Sequence, residues 1–146
     1  TLTRISRSLG YSYDETQAMI ARSFMISADN GHALHPNHGE YADPVNAPRL
    51  NEGIVIKFNA QQKYATDGFS AAFFRDLCRR AKVPTQTFTN RSDIPGGSTL
   101  GNISNTKVSI PTVDIGLPQL AMHSSYETAG TKDTAYLVMA CTAFFE

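Results

Sequence analysis

Neither sign of charge is in excess in this chain: thirteen lysines and arginines stand against thirteen aspartates and glutamates. That balance removes the electrostatic footprint of a nucleic-acid or anionic-membrane binder, so any charge-driven function must be local. Cysteine is equally sparse. The two thiols, Cys78 and Cys141, make no disulfide framework; each lies in an apolar helical pattern, so both are expected as reduced core residues of a cytoplasmic protein. No apolar run approaches the roughly 20 residues that cross a bilayer, and no secretory leader is visible. Zinc-finger spacing, internal repeats and low-complexity tracts are also missing. The chain opens on Thr1 rather than methionine, and its first residues read as the tail of a helix, so a piece of a longer protein is expected.

The residues that could carry chemistry concentrate between Ser23 and Asn37. Phe24, Met25 and Ile26 read as a short buried strand, and Gly31 and Pro36 interrupt the stretch after it. Asp29, His32 and His35 are therefore expected on a loop at the strand's carboxyl end, where open α/β sheets bind ligands. Three of the four histidines, His32, His35 and His38, fall within seven residues here, while His123 lies far downstream. Spacing alone is a weak metal signal. A lone aspartate after a strand is more often a turn former or N-cap than a ligand, and Pro36 pushes His35 away from helical geometry.

The rest of the chain alternates helices and strands. Tyr13 to Arg22 carries helix formers, and Gly39 to Glu52 reads as an exposed connection. Gly53 to Asn59 is the clearest strand, with Ile54, Ile56 and Phe58 on one face and Val55, Lys57 and Asn59 on the other. A lysine in the middle of a covered sheet must reach solvent or a negative partner, so Lys57 is either on a solvated face or in a pocket. Tyr64 either offers its hydroxyl to the same space or packs as an aromatic. Thr66 or Asp67 should cap a helix to about Lys82, with Phe69, Phe73 and Leu77 on its stripe, before Pro84 and a strand from Thr85 to Thr89.

Gly96 to Gly101 resembles a helix start able to hold an anion, but it lacks the lysine of a phosphate loop and reads more simply as a capped turn. Val108 to Gly116 is a strand candidate that Pro111 places at an edge or bulge. Thr131 to Phe145 should be a helix apolar on most sides. The resulting class is α/β, a mixed β-sheet flanked by helices.

Four groups of residues, in this order, resemble the aspartyl aminopeptidase family of dinuclear zinc metallopeptidases. They are Ser27-Ala28-Asp29-Asn30-Gly31-His32-Ala33-Leu34-His35-Pro36-Asn37; Ile56-Lys57 with Tyr64-Ala65-Thr66; Arg91-Ser92-Asp93 with Gly97-Ser98-Thr99-Leu100-Gly101; and Asp114-Ile115-Gly116 with Pro118-Gln119-Leu120-Ala121-Met122-His123-Ser124. The resemblance implies an incomplete three-layer αβα zinc-peptidase fold. Residues 1–146 would be the carboxyl-terminal portion of the catalytic domain, without its upstream half and inserted dimerisation domain.

It also implies an activity, the release of N-terminal residues, acidic ones above all, from peptides through hydroxide held by two zinc ions. On this resemblance Asp29 and His123 are zinc ligands and His32 is catalytic, touching the substrate and stabilising the oxyanion. Asp29, His32, Lys57, Tyr64 and His123 bind substrate; a lysine suits an acidic side chain. His35 and His38 receive no role, and Gly31 stands where alanine is common. The family's remaining ligands and its glutamate base lie upstream, so this chain alone is expected to be inactive. A homo-oligomer is implied for the full-length protein, with neither nucleic acid nor membrane as partner. The competing reading is a non-catalytic binding or assembly module that keeps the fold.

Overall fold

The computed structural model describes Thr1 to Glu146. Its elements run α1 (Leu2–Ser8), α2 (Tyr13–Ala21), β1 (Met25–Ala28), β2 (Gly31–His32), a 3-10 turn (Gly39–Tyr41), β3 (Ile54–Phe58), α3 (Gly68–Arg80) and β4 (Thr85–Thr89). After these come α4 (Leu100–Asn105), β5 (Thr112–Gly116), β6 (Pro118–Leu120), β7 (Thr128–Ala129) and α5 (Thr131–Phe145). No helix is long and apolar enough to cross a membrane.

Four strands form a mixed sheet in the order β1-β5-β3-β4, in which only the β5 and β3 pair is antiparallel. The β3-α3-β4 segment is a βαβ unit whose crossover helix returns the chain to a parallel neighbour. A second, three-stranded sheet in the order β2-β6-β7 grows from the ends of β1 and β5, pairing Gly31 with Pro118 and His32 with Gln119. The sequence gives no warning of it, because strands of two and three residues are too short to show a period.

The expected two faces of β3 are both covered. Ile54 and Ile56 join Val113, Ile115, Phe74, Leu77 and Ala140 in the main core beneath α3 and α5, with Phe58 packed at its margin. Val55 turns the other way and meets Tyr64 and Phe88. Each fully buried aliphatic side chain contributes about 1.5–3 kcal/mol, so this sandwich fixes the strand and everything mounted on it. On the second face α4 packs near β1 and β5, giving helices on both sides of the sheet.

Local expectations are in part met and in part changed. Pro111 lies just before β5 and β5 is an interior strand: the ring sits outside the ladder, and its carbonyl accepts the Met25 N–H at 2.9 Å. The α3 cap is Asp67, which forms a reciprocal capping box with Ser70. The buried stripe of α3 is Ala71, Phe74, Leu77 and Cys78. Phe69 projects into solvent from the first turn, whereas Phe73 stacks on Phe24 with ring centroids 4.4 Å apart. Only one side of α5 is buried; Val138, Met139 and Phe145 are exposed. Cys78 is in the core, where burial pushes its thiol up to about 12, and Cys141 is half-buried.

Candidate active site

Where β1 and β5 run out, a cleft of about 630 Å³ opens, and Asp29, His32, Lys57, Tyr64 and His123 all line it. These residues come from three stretches of sequence far apart from one another, and the sheet brings them to one end.

Asp29 follows β1 directly. Its N–H donates to the Ile115 carbonyl at 3.0 Å, and its Oδ1 accepts the Asn30 N–H at 2.8 Å, so the carboxylate leaves the strand end at a fixed angle. The neighbouring strand permits this only because residue 116 is glycine: a Cβ there would overlap the Asp29 carbonyl oxygen. His32, expected on a loop, lies in β2, tied into the small sheet beside Gln119. Loss of hydration in the cleft, followed by the positive charges of His123 and Lys57, holds its imidazole below the ordinary histidine range. Its outer edge remains exposed.

His123 sits in the turn of the β6-β7 hairpin with φ 67°, a left-handed conformation that Ala121 shares at φ 54°. Two non-glycine residues in that region within three positions mark a strained turn, a common property of functional loops. The Glu127 carboxylate accepts the His123 N–H at 2.7 Å and fixes it.

The structure decides between the two readings of Lys57. The side chain is 2% exposed, and its Nζ donates to the Asn30 carbonyl at 3.1 Å while lying 5.5 Å from the centre of the Tyr64 ring. Burial pulls the ammonium down from the ordinary lysine range, against the opposing pull of Asp29 and Asp114. Tyr64 is buried and its phenol is pushed up, by burial first and then by the same two carboxylates. The two residues form one wall, an ammonium backed by an aromatic face.

His35 and His38 also reach the cleft, but only at its rim. Their rings lie 5.0 Å apart, His35 Nδ1 accepts the Asn37 N–H at 3.1 Å, and His38 pairs with Glu40 at 3.1 Å. Arg91 reaches the same segment, holding Asp93 with two 2.6 Å contacts and donating to the Glu40 carbonyl. At Gly96 to Gly101 the expected capped turn lacks its side-chain cap. Thr99 at the start of α4 turns its hydroxyl away from the helix and donates to Asp114 Oδ1 at 2.7 Å.

Asp114 and Glu127 are the residues that sequence reasoning passed over. Asp114 had a signal, a carboxylate inside the apolar strand Val113 to Ile115; Glu127 had none, since its partner is a backbone N–H. As for the zinc that the resemblance implies, Asp29 and His123 offer one donor each. Nowhere do three histidine, cysteine, aspartate or glutamate side chains gather to hold an ion. A catalytic zinc takes three protein ligands, so the donors of this chain do not by themselves fit one.

Comparison with known proteins places this chain in a family. The chain is 48% identical to a probable M18 family aminopeptidase 2 of Stutzerimonas stutzeri over 144 residues, covering 99% of this chain and 34% of that protein. It is 49% identical to the counterpart from Clostridium acetobutylicum, covering 33% of that protein. The chain thus spans about a third of the length of these relatives. Among solved structures, a chain of the cryo-EM structure of the Ape4 and Nbr1 complex superposes with a TM-score of 0.94 at 39% identity, over 99% of this chain and 27% of that one. The Saccharomyces cerevisiae mApe1 dodecamer gives a TM-score of 0.78 at 25% identity, over 99% of this chain and 33% of its own. The signature of the aminopeptidase I zinc metalloproteases matches residues 1–145, and the chain belongs to that family, M18.

Proposed function

We propose that this chain is the carboxyl-terminal portion of the catalytic domain of a zinc aminopeptidase that releases acidic residues from the amino ends of peptides. The observation that carries the reading is the convergence of Asp29, His32, Lys57, Tyr64 and His123 on one cleft. Asp29 and His123 each contribute one ligand, and the remaining donors come from the two thirds of the full-length protein that the relatives have in addition. Asp29 and His123 would hold zinc together with those donors, and the metal would supply Lewis-acid polarisation of the scissile carbonyl and hydroxide at neutral pH.

The chain's own residues bind and orient. His32, held neutral near pH 7, presents one N–H donor to the oxygen on which negative charge develops. Lys57 spends one of its three donors on Asn30 and presents a buried positive charge to an acidic side chain. An ammonium that has already left water discriminates more strongly than an exposed one, because little further desolvation is needed when its partner arrives. The Tyr64 ring supports that ammonium from one side. The 146 residues alone are expected to be inactive, and the full-length protein is expected to assemble as a homo-oligomer, as the mApe1 dodecamer does.

The test is hydrolysis of Asp-, Glu- and Leu-anilide by the full-length protein, with and without Asp29→Ala. Cleavage of the acidic substrates that falls at least about 10³-fold in the variant supports the reading. Equal rates with and without the substitution remove Asp29 from the site, and a preference for Leu-anilide removes the acidic specificity.

A further inference from the structure

Asp114 is the one fully buried carboxylate beside the cleft, 0% exposed, and the proposed function gives it no part. Its two oxygens are locked in place. Oδ1 accepts the Thr99 hydroxyl at 2.7 Å and Oδ2 accepts the Ala65 N–H at 2.5 Å, while the Asp114 N–H donates to the Thr66 hydroxyl at 2.8 Å. Gly101 closes the remaining space, since a Cβ there would come within 2.7 Å of Oδ1. A carboxylate gripped from two segments, Ala65 and Thr99 to Gly101, cannot swing, so its charge stays where the strand puts it.

That place is opposite Lys57. β3 and β5 pair Val55 with Gly116 and Ile56 with Ile115, and one further step of the same antiparallel register sets Lys57 across from Asp114 on the second face of the sheet. Lys57 is itself 2% exposed, and its hydrogen-bond partner is a single backbone carbonyl. The other carboxylate close enough to act on it is Asp29, which the proposed function commits to a metal.

We infer that Asp114 is a positioning residue that acts through Lys57: its fixed charge keeps the lysine ammonium in the cleft wall and thereby sets the preference for acidic over neutral N-terminal residues. The inference rests on the proposed function. A buried ammonium depends on negative charge held nearby, so without Asp114 across the sheet the lysine head withdraws toward water. Asp114→Asn isolates this effect. An amide keeps one oxygen for the Ala65 N–H, and its NH₂ donates to Thr99, whose hydroxyl can accept as well as donate.

The experiment compares kcat/KM for Asp-anilide and Leu-anilide in four forms of the full-length protein: unchanged, Lys57→Met, Asp114→Asn and the double variant. The expected result is a fall of at least about tenfold in the Asp/Leu ratio for each single variant, carried by KM for the acidic substrate. The double variant should equal Lys57→Met in that ratio. It also leaves no orphaned charge, so it tests the proposal even if Asp114→Asn alone fails to fold. A ratio that falls in Lys57→Met and holds in a folded Asp114→Asn overturns the inference and leaves the proposed function standing. A double variant well below Lys57→Met overturns it too, because Asp114 would then act independently of the lysine. If Lys57→Met changes nothing, the acidic-specificity reading falls and the inference with it.

Discussion

The Glu127 carboxylate holds the backbone N–H of His123 at 2.7 Å across the β6-β7 hairpin. The bond is charge-assisted, and it stabilises a left-handed residue that would otherwise relax. Glu127→Ala should therefore weaken zinc retention by the full-length protein by about 10–100-fold, the range seen when groups supporting a ligand are lost. Glu127→Gln, which keeps an acceptor oxygen, should restore most of it. Metal content after dialysis against graded chelator is the measurement, and equal losses in both variants would show that the acceptor is irrelevant.

Two glycines beside the site should respond in opposite ways. At Gly116 any Cβ collides with the Asp29 carbonyl, whereas at Gly31 it would meet Lys57 Cε at 3.7 Å and Val55 Cγ1 at 3.8 Å, ordinary contacts. Gly116→Ala should cost at least about 2 kcal/mol, as overpacking a tight core does. Gly31→Ala should stay within about 0.5 kcal/mol. Urea denaturation of both variants decides the matter, and a stable Gly116→Ala would contradict the close crossing of β5 and Asp29.

Asp133, 0% exposed in the first turn of α5, accepts N–H groups from Asn51 at 2.8 Å and Gly53 at 3.3 Å; the Asn51 side chain in turn accepts the Lys132 N–H at 2.9 Å. This clasp sets Gly53, the residue just before β3 and four before Lys57. Asp133→Ala orphans two donors and should cost about 2–4 kcal/mol, with a fall in Tm of several degrees. A Tm within a degree of the unchanged protein would mean that water replaces the carboxylate freely.

His32 gives a pH prediction with a definite sign. Its folded-state pKa lies below the ordinary value of 6.5, from lost hydration first and then from His123 and Lys57. The unfolded chain therefore binds the proton more readily, and unfolding takes protons up. The stability contributed by neutral His32 is complete above the ordinary value and declines as pH falls from there toward the folded-state pKa. An NMR titration of the metal-free protein should place the His32 midpoint below 6.5, and Lys57→Met should raise it by deleting a neighbouring cation. A midpoint at or above the ordinary value refutes the assignment.

How much of the fold and the site was legible in the sequence depends on the range of the interaction involved. β3 and α5 were visible because period-2 and helical patterns are local, and Asp29 was legible as a residue leaving an apolar strand toward a binding end. Lys57 was flagged by a rule about buried charge, yet only the register with β5 says which carboxylate it faces. Pro111 misled because a proline marks the boundary of a ladder as readily as its edge. Phe69 misled because it shares helical spacing with Phe73 and Leu77, while the buried face of α3 runs through Ser70, Ala71, Phe74, Leu77 and Cys78. Glu127 was invisible for another reason: its partner is a peptide group, which every residue carries.

The division into two sheets has a further meaning. His32 and His123 are mounted on the three-stranded sheet, Lys57 and Tyr64 on or beside the four-stranded one, and Asp29 stands at the joint between them. A change in the length or tilt of the 121–127 turn bears on the His123 imidazole, whereas the amine and its aromatic support stand on the other sheet. On the proposed function, the catalytic and the specificity residues are thus carried on separate frames, and a lineage could retune either one without rebuilding the other.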